Sequence, residues 1–191
     1  MKTSKEVFFW NTLNKAKQEF VPLKEGEVSM YTCGPTVYNY AHIGNLRSYV
    51  MADLIKRVLL LNGLKVKQIM NITDIGHLTG DADDSGEDKM VNALKRENKA
   101  LTIENLKNLG EFYFAKFKED LEAMNILFPD NFIFASDETA EYSRLIKDLL
   151  EKGVAYKTTS TIYFDTTKIA NYGAFGGSAS AEHRRIEVDP E

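Results

Sequence analysis

Two extended runs with a long helical pattern between them constrain this chain more than any other feature. Val28 to Cys33 reads as a short strand that breaks at Gly34-Pro35, a turn-forming pair. Leu46, Val50, Leu54, Val58 and Leu61 then recur three or four residues apart and predict one face of a helix. Asn62-Gly63 closes that helix, because glycine accepts the left-handed conformation a helix end asks for. Lys65 to Ile72 alternates and predicts a buried strand. Strand, helix and strand within about 45 residues make a right-handed βαβ unit, the start of an open α/β sheet. Such a unit alone leaves a strand edge and a helix face uncovered, which favours self-association.

Beyond the second strand the chain alternates between polar connections and helical stretches. Thr73 to Asp88 is acidic, carries Gly76, Gly80 and Gly86, and reads as a long loop. Lys89 to Asn98 predicts a short helix. Thr102 to Asn125 predicts a longer one, with Thr102 as N-cap and Ile103, Leu106, Leu109, Phe112, Tyr113 and Phe117 as its apolar stripe. Phe132 to Ala135 predicts a strand, Ser136 to Lys152 a helix ended by Gly153, and Thr161 to Asp165 one arm of a hairpin. From Gly173 to Ala181 the composition turns to glycine, serine and alanine, and from Glu182 it is charged, the texture of an exposed connection.

Composition narrows the function classes. With 191 residues, 43% hydrophobic and 27% charged, the chain has globular composition. No apolar run approaches the roughly 18–20 residues a bilayer span needs, and the cluster Val7 to Trp10 is too short for a signal peptide. A single cysteine, Cys33, excludes an internal disulfide framework and fits a reducing, cytoplasmic setting. A net charge of −4 provides no global field for nucleic acid.

The densest chemical signal runs from Tyr31 to Asn45. A strand delivers the chain to Gly34-Pro35, and His42-Ile43-Gly44-Asn45 opens a helix whose N-terminus offers unpaired N–H groups and a positive dipole end to phosphates. Gly44 permits close approach to backbone, and the His42 ring can donate to a phosphate oxygen. Read alone, Cys33 is a small apolar residue at a strand end and His42 a helix-end residue satisfied by a carbonyl. His77 and His183 lack ligand spacing and read as solvated. Asp81 to Gly86 imitates the start of a calcium loop, yet Asp88 stands where an apolar residue belongs and Asn92 where a bidentate Glu is required, so it reads as an acidic loop.

The whole run Tyr31-Thr32-Cys33-Gly34-Pro35-Thr36-Val37-Tyr38-Asn39-Tyr40-Ala41-His42-Ile43-Gly44-Asn45 resembles the first signature of the cysteine–tRNA ligases, which leads into the class I HIGH motif. The likeness continues through Leu46 to Tyr49, Asn71 to Leu78, Gly86 to Lys89, Gly153 to Tyr156 and Tyr163 to Asp165, nearly the whole chain. It implies an α/β fold: the first half of a Rossmann-like HIGH-motif nucleotide-binding domain (1–118) plus part of an α+β connective insertion (119–191). It implies catalytic roles for His42 and Asn45, and an ATP site of Gly34, Pro35, Thr36, His42, Gly44 and Asn45. It also implies contact of Cys33 and Thr73 with the amino acid. Cys33 would be one ligand of a Zn²⁺ ion whose soft thiolate chemistry separates cysteine from serine. Asn45 stands in place of the motif's second His.

The resemblance implies ATP with Mg²⁺, cysteine and tRNA(Cys) as partners of an intact enzyme. The KMSKS loop and the other zinc ligands of the family do not occur in the sequence, so the chain by itself is expected to be inactive. Two other readings stand beside this one. The first is the related ligase joining cysteine to an amino-sugar, and the second is a non-catalytic synthetase-like binding module.

Overall fold

The computed structural model describes residues 6–75, 89–159 and 161–175. His77, the acidic loop of 81–88, His183 and the tail from 176 lie outside the described residues. Two compact units emerge, one of residues 1–9 with 19–137 and the other of 10–18 with 138–191.

The first unit is built on the expected strand–helix–strand. β3 (Glu27–Thr32) pairs in parallel with β4 (Lys65–Ile72), which pairs in parallel with β5 (Asn131–Phe134), so β4 is central. The crossovers are α1 (Ile43–Leu61) and then α2 (Lys89–Arg96) with α3 (Ile103–Ala123). Met70 and Ile72 of β4 join Val37, Tyr49, Leu94, Leu109, Tyr113, Phe117 and Leu121 in one core. Tyr31 and Asn71 belong to the opposite set of alternating positions.

Helix ends follow one device. α1 ends with Leu64 N–H on the Leu59 carbonyl and Gly63 N–H on the Leu60 carbonyl, with Gly63 at φ +82°. α2 and α3 stop identically with Asn98 and Asn125, both at φ +55°, in the glycine's place. At the start of α3, Thr102 caps Asn105 N–H at 3.1 Å, the predicted N-cap.

The apolar stripes are corrected in part. On α1 the buried residues are Tyr49, Ala52, Asp53, Lys56 and Leu59, whereas Leu54, Val58 and Leu61 are exposed, Leu61 at 85%. On α3, Leu109, Tyr113 and Phe117 are buried as expected, but Ile103 is 87% exposed and Phe112 is exposed. Polar groups on the buried side of α1 explain how charge is tolerated there. Asp53 accepts from Arg57 Nε at 2.6 Å and Leu127 N–H at 2.9 Å, while Lys56 Nζ donates to the Phe128 carbonyl at 2.7 Å. These bonds tie α1 to the connection that enters β5.

In the second unit, α4 is Thr139–Glu151, later than the predicted start at Ser136, and Ala135–Glu138 forms a 3₁₀ turn. The hairpin arm β7 (Ile162–Phe164) finds its partner in β6 (Ala155–Lys157), with Tyr156 and Tyr163 stacked at 5.6 Å. A two-stranded sheet of β1 (Phe8–Asn11) and β2 (Ala16–Glu19) has no counterpart in the sequence reading. Among the described residues no helix is long and apolar enough to cross a membrane.

Candidate active site

The carboxyl end of β3 delivers Cys33 and Gly34 to a backbone clasp with the carboxyl end of β4. Thr73 N–H donates to the Pro35 carbonyl and Val37 N–H to the Thr73 carbonyl, both at 3.0 Å. Thr36 and Thr73 form an isolated parallel bridge, so the pairing of the two strands continues beyond the Gly-Pro turn. Gly34 has a steric reason to be glycine. A Cβ there would lie 1.8 Å from the Asn71 carbonyl oxygen, so any side chain would push the strands apart. Its necessity is close strand packing, rather than room for a ligand.

From Val37, buried at 1% exposure, the chain crosses to the start of α1. Tyr40 is held edge-on to Tyr113 with ring centres 5.3 Å apart. Arg96 of α2 donates to the Tyr38 carbonyl at 3.0 Å and to the Tyr113 hydroxyl at 3.2 Å. The segment before the helix is thereby fixed by α2 and α3.

His42 is the N-cap of α1. Its Nδ1 accepts the Gly44 N–H at 3.0 Å, and the Asn45 Oδ1 accepts the His42 N–H at 3.1 Å, a reciprocal capping box. Nδ1 must offer its lone pair, so in the neutral ring the proton sits on Nε2. Gly44 is tied to this cap, since a Cβ would lie 2.8 Å from His42 Cε1. Asn45 spends only its oxygen on the box. No acidic residue occupies the first turn.

Cys33 is exposed, and its Sγ lies 3.7 Å from the Gly34 carbonyl oxygen. Beside this strand end is Tyr49, 5% exposed. Burial, with a smaller contribution from negative charge on Cys33, pushes the Tyr49 hydroxyl up to about 12. Below its ordinary value of about 10 the phenol is neutral whether the chain is folded or not. Between there and its folded value only the unfolded chain ionises, so stability falls as pH rises through this window. Tyr49→Phe removes the titration. Its alkaline unfolding midpoint, followed by circular dichroism, is expected above that of the unsubstituted chain; an equal or lower midpoint would contradict this account.

Among the sequence-predicted residues, Cys33, Gly34, Pro35, Thr36 and Thr73 therefore meet at one strand-end clasp, and His42, Gly44 and Asn45 form one cap. Tyr31, Tyr49 and Asn71 all fall within the motif blocks, yet nothing in the sequence alone gives any of them a role. Among the described residues no group of three His, Cys, Asp or Glu side chains stands together to hold a metal. A cavity of about 440 Å³ lies elsewhere, lined by Asp74, Leu106, Gly110, Phe134 and Ser136 among others, and includes none of the predicted site residues. There Asp74 accepts from both Ser136 N–H at 3.0 Å and Ser136 Oγ at 2.5 Å. Those bonds engage Ser136 where the sequence had placed a helix start.

Residues 19–190 match the family described as tRNA synthetases class I (C) catalytic domain. The chain belongs to this family. Its curated relatives include the cysteine–tRNA ligase of Zymomonas mobilis, 39% identical over 181 residues that cover 95% of this chain and 34% of that protein. The cysteine–tRNA ligase of Borreliella afzelii is 44% identical over 166 residues, covering 85% of this chain and 33% of that protein. The chain thus spans about a third of the length of these curated relatives. Among solved structures, a Campylobacter jejuni chain named for arginyl-tRNA synthetase superposes with a TM-score of 0.51 at 15% identity. It covers 77% of this chain and 39% of its own, a likeness of fold.

Proposed function

We propose that this chain supplies one side of a cysteine–tRNA ligase active site. In this reading ATP, with Mg²⁺, lays its phosphates at the N-terminus of α1 against His42, Gly44 and Asn45, with Gly34, Pro35 and Thr36 lining the approach. Cysteine sits at Cys33 and Thr73. The N-terminal half of the catalytic domain then runs to residue 137 instead of 118, because 118 falls inside α3 and β5 joins the same sheet as β4; the connective insertion takes the residues after it.

The observation that carries the reading is the His42 ring at the start of α1. Its Nδ1 takes the Gly44 N–H and the His42 carbonyl takes the Asn45 N–H, so these two amides are not the unpaired donors the sequence suggests, and Nε2–H is the donor left to face an anion. The relatives named as cysteine–tRNA ligases, at about 40% identity, support cysteine as the amino acid of this reading. The reaction has two steps. The cysteine carboxylate attacks the α-phosphorus of ATP and pyrophosphate leaves; the 3′-terminal hydroxyl of tRNA(Cys) then attacks the acyl carbon and AMP leaves. The chain's contribution is positioning and stabilisation of phosphate charge.

The fit to zinc is partial. Cys33 is an exposed thiol suited to be one ligand, yet the described residues offer no second and third, so no step is assigned to the metal. The nucleotide site is tested by titrating ATP while following backbone amide shifts, with Gly44 and Asn45 expected to move most.

A further inference from the structure

The Asn71 carboxamide touches three residues around the candidate amino-acid pocket, and its orientation is fixed by the backbone. Gly34 N–H can only donate, so the atom 3.1 Å away is Oδ1. Oδ1 also lies 2.9 Å from the Tyr31 hydroxyl, which therefore donates to it. Nδ2 then faces Thr73 Oγ1 at 3.2 Å, and donates. Two consequences follow for the groups turned away from Asn71. Thr73 Oγ1 accepts on its inner side and keeps its own proton to donate outward. Tyr31 has spent its proton and keeps oxygen lone pairs. Tyr31 and Cys33 are both exposed and, two residues apart at an extended strand end, share a face. The Thr73 backbone is itself pinned between Pro35 and Val37.

We propose that Asn71 sets the hydrogen-bond polarity of the amino-acid pocket, so that Thr73 presents a donor suited to a carboxylate and Tyr31 an acceptor suited to an ammonium. The ligand class is a zwitterionic α-amino acid held at both ends of its backbone beside the Cys33 thiol. This inference rests on the reading of Cys33 and Thr73 as amino-acid contacts. Asn71 acts through Thr73 and Tyr31, as a positioning residue.

Asn71→Asp separates polarity from scaffolding. The carboxylate still accepts from Gly34 and Tyr31, but its second oxygen cannot donate, so the Thr73 proton turns inward. Cys33 is the only cysteine in the sequence and reports on its surroundings. The ratio of its alkylation rates by iodoacetate and iodoacetamide at one pH cancels the thiolate fraction and reads the local preference for a carboxylate. Thr73→Val is expected to lower that ratio about tenfold or more, the worth of one hydrogen bond to a carboxylate, and Thr73→Ser to leave it unchanged. In the Asn71→Asp background Thr73→Val is expected to change nothing further. The same fold-loss in both backgrounds would overturn the polarity assignment while leaving the pocket intact. No effect of Thr73→Val on the unsubstituted chain would overturn the pocket itself, and the polarity with it.

Discussion

Gly34→Ala is expected to cost about 4 kcal/mol of folding stability or more, among the largest effects of any single methyl addition in this chain. The added Cβ would meet the Asn71 carbonyl oxygen at 1.8 Å and Met70 Cγ at 2.8 Å. The first of these is backbone in the central strand, so no side-chain rotation relieves it. Relief requires β3 and β4 to part where Pro35, Val37 and Thr73 are hydrogen-bonded. A fall in the thermal midpoint on the order of 10 °C should follow. Gly63→Ala provides the contrast. There a Cβ meets nothing within 4 Å and only the positive φ of +82° is penalised, at about 1 kcal/mol. Thermal unfolding of the two variants side by side decides the matter, and equal losses would mean that the strands do not approach as closely as described.

The second large effect is expected at Asp53→Ala, on the buried side of α1. Its carboxylate, 9% exposed, holds Arg57 Nε and the Leu127 N–H. Truncation leaves a part-buried backbone donor unpaired and removes the partner of a cation, together worth about 3 kcal/mol. Asp53→Asn keeps an oxygen for Leu127 and should lose less than half as much. Urea unfolding measures both, and equal losses would show that the bond to Leu127 contributes little. Lys56 and Asp130 reinforce the same junction at 3.6 Å. Asp130 is held below the ordinary carboxylate range, first by the Gln68 N–H it accepts at 2.7 Å and then by Lys56. Its contribution is therefore present above that range and lost as pH falls through the depressed value.

These two positions show what could and could not be read from residues alone. The βαβ unit was legible because spacing and punctuation agree: Gly63 and Thr102 do at α1 and α3 what a C′ glycine and an N-cap threonine are expected to do. Which face of α1 is buried was not legible. Its buried side includes Asp53 and Lys56, whose burial depends on partners about 70 residues away in sequence, and apolar spacing favours Leu54, Val58 and Leu61 instead. The β1–β2 pair gave little periodic signal in strands of four residues. At the site, residues alone suggest His42 as a donor, to a phosphate oxygen or to a carbonyl, and give no sign of its role as the N-cap of α1. The direction was not visible: the ring nitrogen accepts a backbone N–H. Asn71 could not be singled out, because its partners Tyr31, Gly34 and Thr73 converge only once β3 and β4 pair in register.

The central claim is that the capped start of α1 is a phosphate site. ATP added to the isotopically labelled chain should shift the amides of Gly44 and Asn45 first, with smaller shifts at Gly34 and Thr36. Affinity should be weak, because a single helix end offers only a partial positive charge and its first amides are already engaged by the cap. His42→Ala should abolish the response at Gly44, along with about 1 kcal/mol of cap stability. Shifts confined to residues 81–88, with Gly44 and Asn45 unmoved at millimolar ATP, would contradict the account.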